Sequence, residues 1–243
     1  NSFDLVYHSH VLEHFSKKDG EKFIEECFRV LKPNGILRIA IPDLEQIVRL
    51  YLKFLEEGLN DPKNVLIRSN YDWMLIEMLD QIVRNKTGGN MKEYLFQETL
   101  LNEDFVFSRI GEEAKDLRNS FLVSKKRKCT NVNSTKKTLL MKLIYEFRGK
   151  IKRIVSKIKK TDPFKKIGEF RMGGEIHQWM YDRYSLTELL KTKGGDVVSF
   201  PDAFSSSINN WSNYNLDGEN GNIRKPDSLF VEVKKSRIKE KSQ

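Results

Sequence analysis

Apolar and polar positions alternate between two periods along this chain. Residues 3–7 (Phe-Asp-Leu-Val-Tyr) are a short β-prone run with the look of a buried parallel strand. From 17 to 31 the period becomes helical, with Phe23, Ile24, Cys27, Phe28 and Leu31 at spacings of three and four on one face. Ser16 is placed to cap this helix, and Asp19 sits in its first turn. Pro33-Asn34-Gly35 then predicts a turn, and Ile36–Ile41 a second strand. Strand, helix and strand with short joints predict a βαβ unit, hence a parallel pair with a right-handed crossover.

After Pro42-Asp43 the pattern stays helical. It predicts helices over 44–57 and 71–84 and one or two more within 91–120, with a Gly-rich loop over 85–90. Residues 124–136 read as a mobile linker and 138–160 as a basic helix. A short helix over 185–193 precedes Gly194-Gly195, and strands are expected at 196–200 and 228–233. The fold class predicted is α/β. The expected sheet is doubly wound with a helical insertion, closed by an antiparallel pair formed by the last two strands, and partial on the strength of the family resemblance given below.

Composition narrows the partners. No run of 18 apolar residues exists, and the start has neither the basic segment nor the apolar core of a signal peptide. Cys27 and Cys129 are the only cysteines, too few for a disulfide framework or a zinc cluster, so a reducing, cytoplasmic setting is expected. The net charge of +9 is unevenly spread. Residues 123–167 hold 16 lysines and arginines against two acids, and the remainder holds 27 basic against 32 acidic residues. Basicity therefore belongs to one segment and not to the fold.

In a doubly wound sheet, ligands bind beyond the carboxyl ends of the strands. His8-Ser9-His10-Val11-Leu12-Glu13-His14 follows the first strand and Pro42-Asp43 the second, so both should open on one edge. The histidines and Glu13 have the residue types of a metal site. A loop ordered by His10 and His14, in contact with a cofactor, is preferred over a metal because the family resemblance carried by the stretches below needs no metal.

The stretches Phe3-Asp4-Leu5-Val6-Tyr7, Ser9-His10-Val11-Leu12-Glu13-His14 and Arg29-Val30-Leu31-Lys32-Pro33-Asn34-Gly35, with Pro42-Asp43 after them, resemble the class I S-adenosylmethionine-dependent methyltransferases of the type 11-like branch. Gly174-Glu175-Ile176-His177-Gln178-Trp179-Met180-Tyr181-Asp182 and Arg224-Lys225-Pro226-Asp227-Ser228-Leu229-Phe230-Val231-Glu232 resemble the closing part of methyltransferases of bacterial glycan and surface-polysaccharide assembly. The resemblance covers 1–60 and 168–235. It leaves 61–167 as a helical insertion and 236–243 as a disordered tail.

The resemblance implies a methyl transferase using S-adenosyl-L-methionine, acting on a sugar, a glycan or another small polar acceptor. It implies Ser9, His10 and Val11 at the cofactor, and His8, Asp43, Tyr181, Asp182 and Arg183 toward the acceptor. His10 and His177 are the candidate bases. Bland alternatives stand beside these roles: Asp43 and Asp182 as helix caps, His177 as a hydrogen-bonded support for Trp179 and Tyr181, Trp211 as a packing anchor and not a sugar platform. The family's first three strands and its Gly-rich loop have no counterpart in these residues. The cofactor site is therefore expected to be incomplete here, with an open edge at the first strand. A non-catalytic remnant that binds a membrane surface or a protein is the competing reading.

Leu140, Ile144, Phe147, Ile151, Ile154 and Ile158 make a heptad-like seam flanked by lysines and arginines. This helix can pack on the protein's own body, meet a partner helix or lie on an anionic membrane. Nucleic acid is disfavoured for want of a zinc motif or an RNA-binding aromatic motif. A peripheral place at the inner membrane follows from the membrane role. Deleting 124–162 from the full-length protein should then abolish cosedimentation with anionic vesicles while leaving cofactor binding intact. Vesicle binding that survives the deletion rules the membrane role out.

Overall fold

The computed structural model describes residues 1–131 and 162–236, so the basic seam over 138–160 lies outside the described residues. Strand β1 (Phe3–Ser9) is followed by a 3-10 turn (Leu12–His14) and helix α1 (Lys17–Val30). Strand β2 (Leu31–Pro42) then runs parallel to β1. The Ser16 side chain accepts the Asp19 amide and so caps α1. The Pro-Asn-Gly turn lies inside β2 as an irregularity. The pairing jumps from Phe3↔Leu31 to Leu5↔Ile36, with Asn34 at φ 61°.

Helices α2 (Leu44–Asn60), α3 (Val65–Val83), α4 (Gly89–Leu95), α5 (Glu103–Ile110) and α6 (Glu112–Asn131) follow, and past the undescribed segment come α7 (Pro163–Met172) and α8 (Arg183–Thr192). The last strands are β3 (Gly195–Ser199), the small hairpin β4 (Gly218–Glu219) and β5 (Asn222–Ile223), and β6 (Ser228–Lys235). The main sheet has the order β1-β2-β6-β3, with β6 antiparallel to both β2 and β3. This is the expected α/β class with its closing antiparallel pair, and β6 inserts between β2 and β3.

Three elements differ from the pattern. Helix α3 begins at Val65 and not near 71, because Asn64 accepts the amides of Leu66 and Ile67. Its first turn is exposed and so shows no core periodicity. Helix α6 continues through 124–131, where a linker was expected. The Lys/Arg run is a good helix former, and Lys125 pairs with Glu98. Helix α7 has no buried residue to announce it, but Asp162 caps it with Pro163 in its first turn.

Two cores result. One face of the sheet packs Leu37, Ile39, Ile41, Val231 and Val233 against Ile24, Cys27 and Phe28 of α1 and Leu186 and Leu190 of α8. The helices α2 to α6 build a second core around Trp73, Met74, Phe54, Val106 and Ile110. The other face of the sheet is polar at its centre. Arg38, with no exposed surface, donates to Asp217 at 2.8 Å and to Glu232 at 2.6 Å. It also reaches the carbonyls of Asp202 and Ser205 and lies 4.2 Å from the ring centre of Trp211. Tyr7 donates to the second Asp217 oxygen at 2.7 Å. One guanidinium thus ties the long loop over 200–227 to the sheet. Trp211 is buried here, donating its indole N–H to the Ala203 carbonyl, so it is a packing anchor.

Removing one partner of a buried ion cluster leaves its charges uncompensated. Arg38→Leu should therefore lower stability by about 3–5 kcal/mol in urea unfolding. A loss below about 1 kcal/mol would mean that the loop holds to the sheet without this cluster.

Candidate active site

The carboxyl ends of β1 and β2 meet the helical layer in a cavity of about 410 Å³. From the sheet side it is lined by His10, Glu13, His14, His177 and Asp227. From the helices come Trp73, Gln81, Arg84, Met91 and Ile110. The wall near α4 is fixed by Asp80, whose carboxylate accepts the amides of Asn90 at 2.7 Å and Met91 at 3.3 Å. Gly89 permits this approach, because a Cβ there would lie 2.3 Å from the Asp80 carboxylate.

Strand pairing continues one residue past β1, with the His10 amide donating to the Ala40 carbonyl at 2.9 Å. His10 then takes φ 52°, a left-handed conformation uncommon for a residue with a side chain, and such conformations cluster at functional sites. The turn sets the imidazole between two groups. Nε2 lies 2.9 Å from Ser228 Oγ, and Nδ1 lies 3.2 Å from Glu13 Oε1. Glu13 is 1% exposed, and neither of its carboxylate oxygens accepts an aligned hydrogen bond. The His10 contact is thus an attraction between close groups and not a well-aligned bond. Burial works to raise the Glu13 pKa, but His10, its own backbone and His177 together hold it below the usual carboxylate value.

The second half of the site comes from far along the chain. The Glu13 carbonyl accepts the amides of Gln178 at 2.7 Å and Trp179 at 3.3 Å, and Gln178 Nε2 donates back to the His14 carbonyl at 2.9 Å. The His177 amide donates to the Gln81 carbonyl at 3.0 Å. These bonds set the His14 and His177 rings edge to face, with centroids 4.9 Å apart. His177 is 4% exposed, and burial pushes its pKa down to about 4. Asp227 precedes β6, and its buried carboxyl is pushed upward by desolvation, with Oδ1 lacking a hydrogen-bond partner.

The candidate residues separate. His10 and His177 share the cavity, whereas Ser9, the last residue of β1, and Val11 flank His10 without lining it. His8 does not face the cavity. Alternation along β1 turns it to the α1 side, where its ring meets Phe23 edge-on at 5.0 Å with both nitrogens unpartnered. Tyr181 is a core residue, 3% exposed, with its hydroxyl over Gly20. Asp43 caps α2 through the Gln46 amide, and Asp182 caps α8 in a reciprocal box with Ser185. Arg183 forms a two-bond pair with Glu45 beside a separate open depression, away from the histidines. These positions follow from helix starts and strand alternation, which set where each side chain goes.

Asp227, Glu175 and Arg84 line the cavity without having been singled out as site residues. For Asp227 a signal existed. A strand antiparallel to β2 enters the sheet at the edge where β2 leaves it, so the residue before β6 had to lie beside the one after β2. The Asp43 amide indeed donates to the Asp227 carbonyl at 2.9 Å.

Residues 1–39 match the family model described as a methyltransferase domain. That stretch is thus similar to a methyltransferase domain, and the α/β sheet built on it is consistent with a Rossmann-like methyltransferase fold. No curated protein and no solved structure matches the chain. No helix among the described residues is long and apolar enough to cross a membrane.

The buried imidazoles predict acid sensitivity. His8 and His177 hold pKa values of about 4 in the folded chain, both through burial. Unfolded imidazoles titrate at ~6.5, so between these limits the unfolded chain binds more protons. Stability should be fullest above pH ~6.5 and decline as the pH falls toward ~4. His8→Leu should reduce that decline, stabilising the protein more near pH ~5 than near pH ~7.5 in urea unfolding. Equal effects at both pH values would show that His8 is not buried as a neutral ring.

Proposed function

We propose that the protein is an S-adenosyl-L-methionine-dependent methyltransferase that methylates a hydroxyl of a sugar, a glycan or a similar polar acceptor, with His10 as general base. The observation that carries this reading is the alignment of Glu13, His10 and Ser228 at the carboxyl edge of the sheet, with Glu13 and His10 lining the cavity. The match over residues 1–39 supports the methyl-transfer class.

The loop Ser9-His10-Val11 suits one end of the cofactor. It leaves the carboxyl end of β1, where ligands of such sheets bind, and it adjoins buried polar atoms that lack partners. The cofactor supplies an activated methyl group on a sulfonium. What the protein must add is position and a place for one proton. With the Glu13 carboxylate beside Nδ1, the neutral His10 ring holds its proton on Nδ1 and its lone pair on Nε2. That lone pair faces the Ser228 hydroxyl at 2.9 Å. An acceptor hydroxyl in the serine's place would give its proton to Nε2 as its oxygen takes the methyl group. The Glu13 carboxylate then stabilises the imidazolium. His177 serves less well as a base, since a pKa of about 4 leaves it with little appetite for a proton at neutral pH. Its place beside His14 fits support of the site. A polyhydroxylated acceptor suits a cavity with Gln81, Arg84, Glu175, Lys225 and Asp227 in its lining.

The test is calorimetric titration of S-adenosylhomocysteine into the chain and into the product of its whole gene, followed by methyl-transfer assays on the protein that binds. His10→Gln should lower turnover about 10²-fold or more. Unchanged turnover removes His10 as the base. Binding to neither protein overturns the enzymatic reading in favour of a non-catalytic module.

A further inference from the structure

Glu13, His14 and His177 each offer a ligand atom, and these atoms all lie within 4.8 Å of one another. The geometry points to a binding site for a first-row transition-metal dication of the Zn²⁺, Mn²⁺ or Fe²⁺ group, held by one carboxylate and two imidazoles. The expectation of no metal weighed only the stretch from His8 to His14 and followed from a family resemblance that needs no metal. The fold sends His8 to the opposite face and brings His177 in from 163 residues away.

Three features make this more than a chance gathering. The first is an unmet demand. Glu13 is 1% exposed, yet neither carboxylate oxygen accepts an aligned hydrogen bond. Buried charged groups are ordinarily paired, hydrogen-bonded or bound to metal. His10 at 3.2 Å satisfies this only in part.

The second is the state of the histidines. His14 Nδ1 lies 3.1 Å from the Ile176 carbonyl, which can only accept, so Nδ1 carries the proton and Nε2 the lone pair. Metal-bound histidines are commonly fixed in this way, by a carbonyl on the other nitrogen. His177 is buried beside it, with its ring edge-on to that of His14 at 4.9 Å.

The third is preorganisation. The paired amides of Gln178 and Trp179 on the Glu13 carbonyl, with the return bond from Gln178 to His14, hold the two ligand-bearing segments together whether or not an ion is present. Imidazole with carboxylate favours transition metals over Ca²⁺ and Mg²⁺, which prefer all-oxygen shells. Three protein donors leave coordination positions open to water or an acceptor hydroxyl. The site stands on these residues alone and does not depend on the methyl-transfer reading.

The test is titration of metal-free protein with CoCl₂, followed by visible absorption, with ZnSO₄ as competitor. One equivalent of Co²⁺ should give ligand-field bands of nitrogen and oxygen ligation, which Zn²⁺ removes and excess MgCl₂ does not. Glu13→Gln, His14→Gln and His177→Gln should each weaken Co²⁺ binding by at least about tenfold. His8→Gln, on the other face, should leave it unchanged. Circular dichroism identifies any variant that does not fold. Wild-type protein alone still decides the question, through a Zn²⁺-dependent rise in melting temperature at one equivalent. Absence of Co²⁺ bands and of that rise in the wild type overturns the proposal. So does binding that survives in folded variants of all three ligands.

Discussion

The carbonyl of Glu13 is the joint on which the site depends. Two amides from the 177–179 segment converge on it, and through them a stretch distant in sequence is fastened to the loop that leaves β1. Without that joint His177 would have no reason to stand beside His14, and the cavity would lose one wall. The Glu13 side chain depends on the same joint. It is buried because the 176–179 segment covers it, and its charge is tolerated because imidazoles surround it. One residue thus supplies both the covalent route from strand to site and the electrostatic centre of that site.

The rest of the architecture holds this joint still. Arg38 and its two carboxylates pin the loop over 200–227 to one face of the sheet, so that β6 enters beside β2 with Asp227 and Ser228 at the carboxyl edge. The helical layer closes the other side. There Arg109 pairs with the buried Glu77 at 2.5 Å, which also accepts from the Trp73 indole at 2.9 Å. Both clusters are buried ion networks, whose value lies less in net stability than in fixing which surfaces meet. The cavity lies where the carboxyl edge of the sheet meets the helical layer.

Much of this was legible in the sequence. Apolar periodicity located β1, α1, β2 and α2, and the ligand edge followed from placing polar loops after parallel strands. His10 was singled out there, with its role taken from the family resemblance. What periodicity could not show was which side of β1 each histidine takes relative to the helical layer. His8 and His10 are two apart and would share a face in a continuous strand. The left-handed turn at His10 breaks that rule and re-aims its ring. Tyr181, Asp182 and Arg183 misled for a related reason. They stand next to a site residue in sequence, but the start of α8 commits Asp182 to its cap and sends Tyr181 into the core. The contribution of His177 to a cluster with Glu13 and His14 rests on tertiary contact, which no local pattern encodes.

The chain contains four histidines, so its imidazole spectrum is simple enough to examine directly. The decisive measurement is a nuclear Overhauser experiment on ¹⁵N-labelled protein, read together with the pH titration of each ring. Contact between the rings of His14 and His177, with His177 staying neutral until the pH approaches about 4, is the predicted result. No contact between those rings, with His177 titrating like a free imidazole at ~6.5, would contradict the account. In that case the 176–179 segment does not dock on Glu13, and the site has no wall to close it.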